Sequence, residues 1–418
     1  MYLTQTNMIR HLTKQQYVML YRMCQFSNNL YNVALYNIRQ YYFTEKKFLT
    51  YESNYHVCKH NENYGLLQAG ISQQILKQAD RSFKSFFNLI KKARKGEYRF
   101  QDIKMPHYRK KGGLSVLVLS TNAIMIKDGF LRVPVSREFQ KTYGNLDILI
   151  PVPKRVLGKP IKEVRILPLG EGRAFQIQFV YEEQPDNKHL NPDHWLSIDL
   201  GVDNLAACTT DTGTSFLMDG RKLKSINQYW NKQKGHYQGI AAKQGFSCTK
   251  RLHQLSVKRN NCVKDIIRKS VRYIVNYCIK HDIGTIVVGY NLYMKQHSNM
   301  GKRNNQNFVC IPHGYFRECL ESLCERYGIT YVEQEESYSS KASFKDLDEI
   351  PVYILGQSKT YCFSGQRVKR GLYQCSDNTV INADINGSLN IMRKSKQNFD
   401  YEKLCRGLLD SPIRIRVS

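Results

Sequence analysis

Three things are scarce in this chain of 418 residues, and each scarcity closes off a class of protein. Long apolar runs are missing: hydrophobic residues make up 42%, yet no stretch approaches the ~18 consecutive apolar residues that a membrane-spanning helix requires. The opening stretch MYLTQTNMIRHLTKQQ has neither an apolar core nor a small-residue cleavage site, which argues against a signal peptide, so a cytoplasmic protein is expected. Paired cysteines are missing too. The 12 cysteines are scattered without a single Cys-x-x-Cys, so neither a disulfide framework nor a local cysteine-rich zinc site is indicated, and most are read as small buried hydrophobes. Acidic residues are in deficit, with 35 Asp and Glu against 63 Lys and Arg. No internal repeat or low-complexity tract relieves the pattern.

That deficit leaves a net charge of +28, which strains a compact chain by self-repulsion unless a polyanion neutralises it. Nucleic acid is the natural partner, because each phosphate contact releases a condensed counterion. The 28 tyrosines and 18 phenylalanines can supply stacking surfaces, although many of these rings belong to the core. A charged solubility surface or an RNA-packing protein would share this composition. If the partner is nucleic acid, the protein is expected to be nucleoid-associated.

Two or three domains fit the length. After a short apolar strand, Thr13 reads as a helix N-cap with Gln16 completing a capping box. Leu20, Met23, Ser27, Leu30, Ala34 and Ile38 then recur at helical spacing. A second helix, from about Ser72 to Arg94, carries Ile75, Ala79, Phe83, Phe87 and Ile90 on one stripe. Its closing cations, Lys91, Lys92, Arg94 and Lys95, suit either the helix dipole or a phosphate. The period then switches to two. Asp128-Gly129 signals a hairpin, and Gly170-Glu171-Gly172 separates Val164 and Ile166 from Phe175, Ile177, Phe179 and Tyr181. These strands predict a β-barrel-like module over 1–12 and 96–183, with helices 13–95 inserted. The segment PHYRKKGG places Arg109, Lys110 and Lys111 either on a nucleic-acid backbone or on a solvated loop. Residues 184–194 read as a linker, 195–395 as a second domain and 396–418 as a tail.

The second domain carries the chemistry. Leu196, Ile198 and Leu200 alternate with Ser197 and Asp199, so Asp199 sits inside a buried strand, costly unless it is paired or binds a cation. Strands at 205–209 and 215–218 complete a meander of the kind that opens an RNase H-like domain. A basic helical region, about Leu223–Lys280, includes Arg251, Lys258, Arg259, Arg268 and Lys269 as candidates for phosphate tracking; a solvated helix face is the alternative. Then come a β-branched strand at 284–290, a helix near Tyr315–Tyr327, a strand at 329–332 and the acids Glu333, Glu335 and Glu336. Finally Asp384 opens an apolar helix, either as a functional acid or as a simple cap.

The motifs SIDLGVDN, ESYSSKASF and NADINGSLNI together resemble the TnpB proteins of bacterial insertion sequences (OrfB), which are related to Fanzor proteins and type V CRISPR effectors. The likeness covers roughly residues 1–395. It implies an α+β and α/β multidomain chain: a wedge-like barrel with a helical recognition insertion, then a RuvC-like nuclease domain. It also implies an RNA-guided DNA endonuclease, with a guide RNA from the transposon end and a duplex DNA target bearing a short adjacent motif.

Two departures stand out. Where most relatives carry the second acid, on the strand 285–288, this chain has Gly289. Some members instead carry a substitute glutamate before a Thr-Ser-Lys-like triplet, and Glu336 precedes Ser339-Ser340-Lys341 here; Glu335 is the alternative. The usual zinc ribbon is reduced to Cys362 and Cys375, so no structural zinc is expected, and Arg367, Lys369 and Arg370 read as a basic hairpin in its place. Asp199, Glu336 and Asp384 are the expected catalytic and metal-binding residues. Three carboxylates brought to one spot demand cations, and hard oxygen ligands suit two Mg²⁺ or Mn²⁺ ions, with Asp199 shared between them. Two rival readings remain at this stage: a DNA-binding repressor that has lost cleavage, and an unguided RuvC-like transposase or resolvase.

Overall fold

Thr13 caps a long helix in the computed structural model, which describes residues 1–291, 310–353, 360–396, 401, 404 and 412–417. The Thr13 hydroxyl accepts from the Gln16 N–H at 3.2 Å, and the Gln16 carboxamide oxygen accepts from the Thr13 N–H at 3.0 Å. The helix, α1 (Lys14–Glu45), follows strand β1 (Tyr2–Met8) and leads to α2 (Tyr51–Cys58), α3 (Glu62–Gly65) and α4 (Ala69–Arg94). Leu20, Met23, Leu30, Ala34 and Ile38 of α1 share one core with Ile75, Ala79 and Phe83 of α4.

Beyond α4 the first unit, Met1–Glu183, continues with β2 (Leu117–Ser120), β3 (Met125–Lys127), β4 (Phe130–Arg132), α5 (Arg137–Tyr143), β5 (Leu149–Pro151), β6 (Ile161–Leu169) and β7 (Ala174–Glu182). Asp128 and Gly129 both take positive φ, 52° and 78°, and close the β3–β4 hairpin in the way that Asp-Gly favours. No closed barrel forms among the described residues, which corrects the barrel expected from the alternation. The strands make an open sheet in the order β1-β7-β6-β2 and a separate sheet β3-β4-β5. Alternation reports only that one face is buried, and here helices α1 and α4 bury it: Leu117, Leu119, Val164, Ile166, Phe175 and Ile177 lie in the helices' core. β1 pairs antiparallel with β7, Tyr2 opposite Glu182, so helices α1 to α4 are an excursion between strands of one sheet.

The second unit, Gln184–Ser418, begins without regular structure. Residues 184–194 are nonetheless tied down, with the Asp186 N–H on the Arg326 carbonyl at 2.7 Å and the Asn191 N–H on the Asp282 carboxylate at 3.0 Å. Next come β8 (Trp195–Leu200), β9 (Asn204–Thr210), β10 (Ser215–Asp219), α6 (Arg221–Lys243), α7 (Lys250–Lys280), β11 (Thr285–Tyr290), α8 (His313–Tyr327) and β12 (Thr330–Glu335). The basic helical region is therefore two helices, broken at 244–249 where Gly245 takes a positive φ. A small antiparallel sheet follows, β13 (Gln366–Lys369), β14 (Leu372–Gln374) and β15 (Val380–Asn382), and then α9 (Ala383–Ser395) and β16 (Ile413–Ile415). Most of the expected tail lies outside the described residues, but β16 is no loose end.

The main sheet runs β12-β11-β8-β9-β10-β16. β8 is antiparallel to β9, and β9 to β10, whereas β11 is parallel to both β8 and β12, and β16 is parallel to β10. Leu196 and Ile198 face one side, packing with Ile267, Val271 and Ile274 of α7 and Phe316 and Leu320 of α8. Their neighbour Ser197 faces α9 across the other side. Among the described residues, no helix is long and apolar enough to cross a membrane.

Helix α9 also holds the segment after β12. The Asn386 carboxamide donates to the Ala342 carbonyl at 2.8 Å and accepts from the Phe344 N–H at 2.9 Å, all buried. Replacing Asn386 by Ala strands both partners, at about 1–3 kcal/mol per unsatisfied buried group. Asn386→Ala is expected to lower the midpoint of thermal unfolding and to open residues 337–348 to limited proteolysis; unchanged cleavage of that segment would contradict the clamp.

Candidate functional site

Asp199 lies on the same face of β8 as Ser197, two residues on, and both look toward α9. Ser197 Oγ meets Ser388 Oγ at 2.9 Å and Thr209 Oγ1 at 2.6 Å, while Ser388 Oγ also donates to the Ser197 carbonyl at 3.0 Å. This buried hydroxyl triangle sets the register of α9 on the sheet and brings Gly387 against the Asp199 carboxylate. A Cβ at Gly387 would stand 2.6 Å from Asp199 Oδ2, so only glycine admits the acid there.

One strand over, Gly289 does the same for a different acid. The last β11–β8 pair is Val288 with Ile198, so Gly289 and Asp199 follow side by side. A Cβ at Gly289 would fall 2.4 Å from Glu336 Oε2 and 2.6 Å from Ile391 Cδ1. The Glu336 carboxylate therefore occupies the space a side chain on β11 would fill. Its backbone is held by an N–H bond to the Tyr290 carbonyl at 3.2 Å. Glu335 is employed otherwise: Lys394 Nζ pairs with it at 2.8 Å and the Ser337 N–H donates to it at 2.6 Å, which together hold its carboxyl below the usual glutamate range despite partial burial.

Asp384 is at the second position of α9, but the cap is Asn382, whose side chain accepts from the Asp384 and Ile385 N–H groups at 3.0 and 3.2 Å. Capping is thus done by another residue, and the Asp384 carboxylate is free for other partners. Asn204 of β9 donates to its Oδ2 at 2.6 Å, and Arg367 of β13 reaches its Oδ1 at 3.3 Å.

The three acids are brought together but not onto a single point. Asp199 on β8 is flanked by Glu336 above β11 and by Asp384 beside β9, on strands about 4.8 Å apart. Among the described residues, no three His, Cys, Asp or Glu side chains stand close enough to chelate one ion, so the cluster is a row with Asp199 in the middle. Burial, and then the charges of Glu336 and Asp384, push the Asp199 carboxyl well above the ordinary aspartate range. Burial and then Glu335 push Glu336 up to about 7, against the opposing charges of Arg317 and Lys394. No hydrogen-bond donor among the described residues reaches either the Asp199 or the Glu336 carboxylate. All three acids keep partial solvent access. Undonated, partly buried carboxylates with only oxygen to offer fit hard divalent cations, with Asp199 placed to be shared.

The basic candidates divide by how they are used. Arg109 is committed to unit 1: its guanidinium lies 3.6 Å from the Tyr31 ring centre, donates to Gln78 at 3.0 Å and bonds Ser115. Arg259 is likewise committed, to Asn227 at 2.7 Å and the Cys310 carbonyl at 2.6 Å. Arg268 donates to the Tyr315 hydroxyl at 2.7 Å, Lys269 pairs with Asp265 at 2.9 Å, and Arg251 lies over Tyr237. Lys110, Lys111, Lys258 and Lys369 are exposed. Arg370, at the β13–β14 turn, pairs with Asp203, which Lys224 also holds at 2.8 Å. Asn204 and Lys394 escaped the sequence reading; Asn204 was in view as the last residue of SIDLGVDN, whereas nothing around Lys394 sets it apart from other helix cations.

Both Asp199 and Glu336 hold protons more tightly in the fold than in the unfolded chain, where glutamate titrates near 4.5. The Glu336 contribution is complete below that value and is lost as pH rises through about 7, and Asp199 acts in the same direction. Without divalent ions, the protein is expected to lose thermal stability between pH 5.5 and 8.5 relative to Glu336→Gln, which has no carboxyl to ionise. Added Mn²⁺ should restore the wild type more at the higher pH. Parallel melting profiles for the two proteins would contradict the crowded-acid geometry.

The family described as "Probable transposase" (OrfB of IS605) matches residues 178–295, and the family described as "Cas12f1-like, TNB domain" matches residues 313–391. The curated TnpB-like protein ORF457 of Acidianus two-tailed virus is 24% identical over 93% of this chain and 86% of its own length. The solved Cas12f1–sgRNA–target DNA complex shares the fold, with a TM-score of 0.58 at 15% identity, over 91% of this chain and 83% of that one. The mixed α+β multidomain architecture therefore resembles that of the Cas12f1 chain. The two family matches fall in chain order, and the chain is similar over most of its length to a TnpB-like protein.

Proposed function

We propose that this chain is an RNA-guided, divalent-cation-dependent DNA endonuclease of a transposable element, and that the sheet from β12 to β10 with α9 is its RNase H-like, RuvC-like nuclease domain. The observation that carries this reading is the Glu336 carboxylate seated over Gly289, beside Asp199. An acid is missing from β11, and another fills the same space from the end of β12.

In this reading Asp199, Glu336 and Asp384 would hold divalent cations such as Mg²⁺ or Mn²⁺, which would supply water activation and charge stabilisation for phosphoryl transfer. The chain's own part is positional. Asn204 holds Asp384 toward Asp199, Lys394 takes Glu335 out of the competition, and Gly387 lets α9 approach the central acid. The Cas12f1 complex contains a guide RNA and target DNA, and the same partners are proposed here, with a short motif beside the target. Exposed Lys110, Lys111, Lys258 and Lys369, together with Arg251 and Arg268, are proposed to meet backbone phosphates, while base pairing selects the sequence. No zinc is assigned: Cys375 is buried and Cys362 exposed, and β13–β14 stands where a ribbon would.

The test is cleavage of a matched DNA duplex by protein purified with its RNA, in Mg²⁺. Asp199→Ala, Glu336→Ala and Asp384→Ala are each expected to cut about 100- to 1,000-fold more slowly, the scale of losing a group that stabilises transition-state charge. Glu335→Ala should lose about tenfold, as a partner acting from outside the cation's own ligands. Full activity in Glu336→Ala would reject the displaced acid. DNA binding without cleavage by the wild type would point to a repressor, and cleavage by RNA-free protein to an unguided nuclease.

A further inference from the structure

Residues 412–417 return to the main sheet far along the sequence from the acids. β16 pairs in parallel with β10, placing Arg414 beside Leu217 and Ile415 beside Met218. From that register the Arg414 guanidinium donates to Asn204 Oδ1, while Asn204 Nδ2 donates to Asp384 Oδ2 at 2.6 Å. Asn204 itself is buried, 7% exposed. The chemistry of the three groups allows only one arrangement. A guanidinium can only donate and a carboxylate only accept, so the carboxamide between them must present oxygen to Arg414 and nitrogen to Asp384. Without Arg414 the Asp384 carboxylate alone would select the amide's orientation, and the carboxamide would be held from one side only.

We propose that Arg414 is a positioning residue of the acid cluster, acting through Asn204 to fix which oxygen of Asp384 remains for a cation. This rests on the reading of Asp199, Glu336 and Asp384 as a cation site. Oδ2 is taken by the buried amide, whereas the partner of Oδ1 is Arg367, whose side chain is 48% exposed and can swing away. Oδ1 is therefore the more open of the two Asp384 oxygens. Arg416, two residues on, serves as the internal comparison: it lies on the same segment but reaches Asp219 at 3.5 Å, and that acid is already held by Arg221 at 2.6 Å.

The experiment is calorimetric titration of the nucleic-acid-free protein with Mn²⁺, accompanied by melting curves. Arg414→Ala is expected to weaken Mn²⁺ binding about tenfold, the scale of losing a group that orients a metal ligand. Arg414→Lys, which keeps a donor, should recover part of it, and Arg416→Ala should bind as the wild type does. Asn204→Ala should match Arg414→Ala, and the double variant should be no weaker than Asn204→Ala, since the two act in series. Wild-type Mn²⁺ affinity in Arg414→Ala would overturn the relay, as would an equal loss in Arg416→Ala, which would mean only that the strand had come loose. Asp384→Ala separates the two levels: if it too binds normally, the cation site itself is wrongly placed, whereas lost binding there beside intact binding in Arg414→Ala rejects Arg414 alone.

Discussion

The second unit depends on how one buried helix is keyed to its surroundings by hydrogen bonds rather than by shape alone. Ser388 of α9 joins Ser197 and Thr209 in a closed triangle of hydroxyls, and Asn386 and Asn390 bond the backbone of residues 339–344. Apolar packing tolerates small slips; a buried hydroxyl or amide that loses its partner carries a desolvation cost with nothing to offset it. α9 consequently has a single admissible register. Asp199, Glu336 and Asp384, carried by three different segments, meet in a fixed arrangement because of it.

That arrangement is electrostatically expensive, and the protein meets the cost unevenly. Asp384 has Asn204 and Arg367, and Glu335 is neutralised by Lys394, but Asp199 and Glu336 are left with repulsion and burial. Nearby cations at Arg317, Lys394 and Arg367 offset part of the repulsion without contacting either carboxylate. A fold serving only stability would bury apolar residues here instead. The proposed cation-binding role rests on this concentration of unrelieved repulsion at Asp199 and Glu336.

Much of this was legible in the sequence, for identifiable reasons. The Thr13 capping box, the Asp128-Gly129 hairpin and the strand around Asp199 are local, and local chemistry writes itself into adjacent residues. The open sheet of the first unit was not legible as such, because Val164, Ile166, Phe175 and Ile177 alternate identically whether a barrel or two helices cover them. Nor could the sequence reveal that Arg109 and Arg259 are committed to internal partners, since a bound guanidinium and an exposed one are spelled alike. The pairing of Arg414 with Asn204 joins residues separated by most of the second unit, and only the β16 register brings them together.

The keying of α9 has a consequence for synthesis. A chain emerging from the ribosome exposes the β8 acid long before the helix that completes the row has been made. With Asn386 and Asn390 still to come, residues 339–344 lack the hydrogen bonds that α9 gives them. Chains that end before α9 therefore lack the complete acid row.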